Sequence, residues 1–144
     1  MYLISYKRGQ GSIVLRVKIY DSSVTTGAGL TGLAYNTAGL IISTIADNEA
    51  AAITYTVTGS TIETIATLGT YAAPTATKCR FKEVDATNHP GVYEIQFADA
   101  RYAVALAKSL LVHVSGAANM AQCLVSIPLV DFDPYSGTPN ANLT

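Results

Sequence analysis

The sequence predicts an all-β fold: a two-sheet antiparallel immunoglobulin-like sandwich with one short helix. Three observations point there. About seven to nine short runs rich in Val, Ile, Thr and Tyr recur at roughly 8–12-residue spacing, as sandwich strands do. Eleven Gly and five Pro punctuate those runs, and Trp is absent. Within the runs apolar and polar residues alternate with period two, the mark of a strand with one face on a core.

Taken in order, residues 1–11 form an N-terminal arm ending in the basic, glycine-flanked turn Lys7-Arg8-Gly9-Gln10-Gly11. The sandwich spans 12–130. Its first strand, Ser12–Tyr20, turns Ile13, Leu15, Val17 and Ile19 one way and Val14, Arg16, Lys18 and Tyr20 the other. The outer Arg16 and Lys18 read as a solvated face, with pairing to acids across the sheet as the alternative. Asp21–Gly32 is a turn-rich loop with three glycines. A short strand is expected at Leu33–Asn36 and another at Leu40–Ala46, closed by the Asp47-Asn48 turn.

Ala51–Thr58 alternates Ile53, Tyr55 and Val57 inward with Thr54, Thr56 and Thr58 outward. Gly59-Ser60 is expected to reverse it as a hairpin into Thr61–Leu68, where Ile62, Ile65 and Leu68 leave strand and short helix both open. After a loop containing Pro74 comes Phe81–Phe97, the central motif. It turns through Asp85–Gly91 and then alternates Tyr93, Ile95 and Phe97 against Val92, Glu94 and Gln96. Ala98–Ala107 is the one alanine-rich stretch, a turn or two of helix with Asp99 near its start. Leu110–Ser115 and Gln122–Val130 are the last strands; Pro128 suits an edge. The tail 131–144, rich in Pro, Gly and Asn, has little to bury and is expected to order only against a neighbour.

Composition constrains function. Of 144 residues 49% are apolar and only 13% charged, about half the usual charged share. A monomer relies on surface charge for solubility, so a homo-oligomer or larger assembly is expected. The net charge of −1, with scattered Lys and Arg, argues against nucleic acid as a partner. No apolar run approaches the roughly 20 residues that span a bilayer, and the N-terminus lacks the basic-then-apolar order of a secretory signal, so no membrane partner is expected and synthesis is expected in the cytoplasm. Cys79 and Cys123 are accordingly expected as reduced thiols.

No constellation spells out a reaction. His89 reads as a turn residue and His113 as a side chain on a strand face. Glu83 with Asp85, and Asp131 with Asp133, lack the glycine-bearing loop of a calcium site. Gly9-Gln10-Gly11 and Gly27-Ala28-Gly29 open no helix, so they are turns rather than phosphate cradles. The serines lack a nucleophile-elbow context. Neither an enzyme nor a cofactor or metal is expected. Nine tyrosines stand out instead. Tyr55 and Tyr93 read as core, whereas Tyr2, Tyr6 and Tyr135, with Arg8 and Phe132, lie in or beside the terminal segments and are the expected interface residues.

Lys7-Arg8-Gly9-Gln10 before a first strand, Leu30-Thr31-Gly32-Leu33, Ala38-Gly39-Leu40, Phe81-Lys82-Glu83-Val84-Asp85-Ala86-Thr87-Asn88-His89-Pro90-Gly91-Val92-Tyr93 and Leu129-Val130-Asp131-Phe132-Asp133-Pro134 form a pattern over most of the chain. It resembles the small β-sandwich domains of tailed-bacteriophage structural proteins, such as the N-terminal domain of baseplate upper proteins and related tail or fibre adaptors. The resemblance implies a non-enzymatic virion subunit that packs on copies of itself and on other virion proteins, with no catalytic residues to carry over. With no fibre or receptor-binding region following, an adaptor is expected. The alternatives are a carbohydrate- or cell-surface-binding module, in which exposed tyrosines stack on glycans, and a fibre subunit joined by strand exchange.

Overall fold

The computed structural model describes residues 5–133. Among the described residues nine strands form two packed sheets: β1 Tyr6–Lys7, β2 Leu15–Lys18, β3 Ile41–Ala46, β4 Ile53–Thr56, β5 Ile62–Glu63, β6 Cys79–Asp85, β7 His89–Phe97, β8 Ser109–Ser115 and β9 Cys123–Val130. One sheet runs β1-β9-β8-β3-β4 and the other β2-β7-β6-β5. The predicted sandwich is present, but its sheets are mixed rather than purely antiparallel. The exceptions lie at the edges, where β1 pairs with β9 and β5 pairs with β6 in parallel.

The inward faces follow from the alternation. Leu15 and Val17 of β2 face Tyr93, Ile95 and Phe97 of β7 and Phe81 of β6 on one side of the core; Ile42, Val112, Val114 and Ile127 supply the other side. Phe81 stacks on Tyr93 at 4.9 Å, and Tyr55 meets Phe97 at 5.7 Å across the sheets. Burial of such side chains is worth roughly 1.5–3 kcal/mol each and dominates the fold's stability.

Four expectations are corrected. Part of the 1–11 arm is sheet: Tyr6 and Lys7 register with Leu129 and Val130, so the sandwich begins before residue 12. Leu33–Asn36 is loop, its Ala34 amide bonded to the Thr37 hydroxyl at 2.8 Å instead of to a neighbouring strand. Ile53 lies at the sandwich rim, 39% exposed, rather than inside. The Gly59-Ser60 reversal is present, with the Ser60 amide on Val57 O at 3.0 Å and the Thr61 amide on Thr56 O at 3.1 Å, but it does not continue as a hairpin, because β4 and β5 belong to different sheets. There the Thr56 amide donates to the Thr61 hydroxyl at 2.7 Å and the Gly59 amide to the Thr56 hydroxyl at 3.0 Å. Threonine side chains add to the backbone bonds of the turn, and the chain crosses to the second sheet.

The helix reduces to one 3-10 turn, Asp99–Tyr102. Asp99 caps nothing there; its carboxylate accepts the Ser12 amide at 2.9 Å. Pro128 sits in a strand with neighbours on both sides, yet its position is an edge in effect. The Leu129 amide donates to Lys108 O, so by alternation Pro128 turns its missing N–H away from β8. There β1 opposes only Leu129 and Val130.

Alternation turns Glu94 and Gln96 of β7 away from the core, yet both are fully buried under residues 69–72. The Glu94 carboxylate accepts the Gly69 amide at 3.0 Å, Gln96 Nε2 at 2.9 Å and the Arg16 guanidinium at 3.2 Å. Gln96 accepts the Ala72 amide and donates to Thr70 O, both at 3.0 Å. Arg16 and Glu94 are direct cross-strand neighbours, so the pairing alternative holds for Arg16. Every polar atom of the Glu94–Gln96 pair named here is bonded, as a buried network must be to persist.

Candidate functional site

The sandwich is open along one side. Among the described residues β2 pairs with β7 alone, and the Cys123–Ile127 part of β9 with β8 alone. At one end the two sides are joined, Asp21 bridging to Met120 and the Ala121 amide donating to Tyr20 O at 3.0 Å; along the strands themselves the unpaired edges flank a cleft of about 690 Å3, whose lining includes Val14, Val17, Tyr20, Leu124, Val125 and Ile127. Leu124 is 58% exposed and Tyr20 50%. Lys18 bridges the rim, donating to Pro90 O at 2.5 Å and lying 5.8 Å from the Tyr20 ring centre. Free backbone donors and acceptors beside apolar side chains are what an added strand needs.

The expected interface residues divide. Tyr2 and Tyr135 lie outside the described residues. Tyr6 is core: it is 8% exposed and packs edge-on against Tyr102 at 6.0 Å. Its position near a terminus concealed this, since β1 closes the end of the sheet over Tyr102. Arg8 is bound within the chain, donating to Ala107 O at 3.0 Å and to the Asp131 carboxylate. It fastens the turn after β1 to the end of β9. Phe132 is 60% exposed and remains an available surface ring.

A second hollow, about 410 Å3, lies beside the β6 strand and is lined by Tyr35, Thr64, Lys82 and Glu83 among others. Tyr35 lines this hollow and Tyr20 the cleft, so the two most exposed tyrosine rings among the described residues do not form one platform. The remaining described tyrosines are structural. Burial pushes the Tyr93 phenol up to about 12, and its hydroxyl donates to Leu30 O at 2.7 Å. Burial likewise raises Tyr71 to about 12, with its hydroxyl bonded to Phe97 O at 2.9 Å.

Both histidines lie where the sequence placed them, His89 exposed at the β6–β7 turn and His113 on the outward face of β8. Asp85 builds that turn: its carboxylate accepts the Thr87 and Asn88 amides at 3.0 Å, and the Asn88 bond holds its carboxyl below the usual carboxylate range. This is an Asx turn, the physical content of Asp-Ala-Thr-Asn. Cys79 and Cys123 are free and buried in opposite sheets, and burial raises both thiols. Among the described residues no three His, Cys, Asp or Glu side chains gather to hold a metal, and no helix is long and apolar enough to cross a membrane. No family model, curated protein or solved structure matches the chain.

Sequence reasoning missed a second feature, the distribution of charge. β3, β4, β8 and β9 contain no Lys, Arg, Asp or Glu, whereas β2, β5, β6 and β7 carry Arg16, Lys18, Glu63, Arg80, Lys82, Glu83, Asp85 and Glu94. The signal was present strand by strand, but it has meaning only once the strand order puts the four neutral strands side by side.

Proposed function

We propose that this protein is a non-enzymatic structural subunit that works by assembly, and that the open side of the sandwich receives an added strand or terminal arm from a neighbouring subunit. The observation that carries the reading is the apolar cleft between the unpaired edges of β2 and β9. Pairing there satisfies backbone groups and buries Leu124 and Tyr20 in one step. The low charged share, 13%, favours the same reading, since an assembled subunit need not keep all its surface wet.

The resemblance of the Phe81–Tyr93 motif to phage structural domains supplies the setting, a virion made in the host cytoplasm, with copies of the chain and other virion proteins as partners. The strand order supports the immunoglobulin-like part of that reading. β9-β8-β3 opposite β2-β7-β6 repeats the arrangement in which strands G, F and C face B, E and D.

The test is assembly with and without the terminal segments. Because β1 is part of the sheet, the deletion removes residues 1–4 and 134–144 and leaves Tyr6–Lys7 in place. Light scattering behind size exclusion should show the high-mass species lost, with the β circular-dichroism spectrum unchanged. Unaltered high-mass assembly of the trimmed chain sinks the arm mechanism.

A further inference from the structure

We infer that the outer face of the β9-β8-β3-β4 region is a homodimer interface, on which a second copy of this chain packs sheet to sheet about a two-fold axis near Ser43 and His113. This rests on the assembly reading above and names its first step. The outward residues of these strands follow from the buried ones. Ile42, Thr44 and Ala46 point into the core, so Ile41, Ser43 and Ile45 point out; Leu110, Val112 and Val114 point in, so Leu111, His113 and Ser115 point out. Register sets Leu124 beside His113 and His113 beside Ser43, so Leu124, His113 and Ser43 form one row across three strands.

The partner is argued from charge and area. None of the chain's nine Lys and Arg or ten Asp and Glu lies on these four strands, and Lys7 on β1 marks the edge of the neutral area. A face without charge can meet its own copy with no like-charge contact, which otherwise costs several kcal/mol. The charged outer face of the other sheet, with Arg16, Lys18, Arg80 and Lys82, cannot do so.

On area, strands at about 4.8 Å spacing and about 3.4 Å per residue make a face of roughly 20 by 23 Å. Two pleated copies then bury on the order of 1,000 Å2, the lower end of a specific interface. The exposed apolar side chains Ile41 (38%) and Leu124 (58%) fall within it. Area does not set affinity, but so small a face belongs with weak, reversible contacts that dissociate on dilution.

Sedimentation equilibrium of the full chain from about 1 to about 300 μM tests this, a range that brackets a micromolar Kd. The wild type should pass from monomer to dimer, and Ile41→Asp and Ile45→Asp, both outward on β3 and away from the cleft, should each raise Kd by at least about tenfold, as unpaired charge in an interface does. Because a substitution can disturb folding, Ser43→Cys gives an independent reading. It should form a disulfide-linked dimer on mild oxidation, while Lys82→Cys on the opposite sheet should not. If the wild type associates but Ile41→Asp leaves Kd unchanged and Ser43→Cys does not cross-link, the face is overturned and the assembly reading stands. A chain that stays monomeric throughout, or whose neutral face takes up a different virion protein instead, also overturns the dimer; the arm deletion then judges assembly separately.

Discussion

Glu94 is the residue whose role differs most from its appearance in the sequence. Alternation puts it outward, opposite Tyr93, and that is where it points. Outward here means under a loop, because residues 69–72 lie across β7 and bond to it. No local pattern can reveal which outward positions a distant loop will cover, so the period was legible and the burial was not. Tyr6 shows the same limit at the terminus: its burial comes from Tyr102, far along the chain and adjacent in space. Removing the Glu94 carboxylate leaves the Gly69 amide and a Gln96 N–H without their acceptor. Glu94→Ala should therefore cost about 2–4 kcal/mol in urea unfolding and speed hydrogen exchange at Gly69. Arg16→Ala takes the guanidinium from a fully buried carboxylate but leaves it the Gly69 amide and Gln96 Nε2, so it should cost less, about 1–2 kcal/mol. Equal effects of the two would mean that the ion pair, rather than the suture of the loop, is what matters.

At the scale of elements, strands with long regular alternation were legible: β2, β3 and β9 lie within the predicted runs, and β8 begins at Ser109, one residue before its run. The two-residue strands β1 and β5 were not, because so short a segment carries no period and each is held by a parallel partner far along the chain. Nor could the sequence distinguish a hairpin from a crossover after β4, since Gly59-Ser60 suits either and the threonine bonds decide. The β6–β7 turn was legible as a turn, but its strictest requirement lies outside the motif. Gly91, at φ +85°, packs against Gly29: a Cβ on Gly91 would sit 2.6 Å from Gly29 Cα and 2.6 Å from Ile19 O. Both contacts are backbone and cannot swing aside. Gly91→Ala should lose about 3 kcal/mol or more, while Gly27→Ala, also at positive φ but with nothing within 4 Å, should lose only about 1–2 kcal/mol of backbone strain. Chemical denaturation of the pair separates contact from conformation, and equal losses would remove the Gly29–Gly91 approach as the cause.

Across the whole molecule, the candidate surfaces were legible only as a total. A charged share of 13% predicts that some surface is covered without saying which, and the sorting of charge away from β3, β4, β8 and β9 locates it. The molecule is thus two-sided: a sheet whose outer face keeps its Arg, Lys and Glu residues, and a sheet whose outer face keeps none on β3, β4, β8 and β9. That asymmetry fixes how association should respond to salt. Contacts made by exposed charges weaken as ionic strength rises, because the Debye length falls from about 14 Å at 0.05 M to about 4 Å at 0.5 M. A neutral sheet face has no such contact to lose, and exclusion of sulfate from apolar surface strengthens its burial. The dimer Kd should therefore change by less than about twofold between 0.05 and 0.5 M sodium chloride, and should tighten in ammonium sulfate. A Kd that rises about tenfold over the chloride series would place the contact on the charged sheet, among Arg16, Lys18 and Lys82, and would make the neutral face a bystander to assembly.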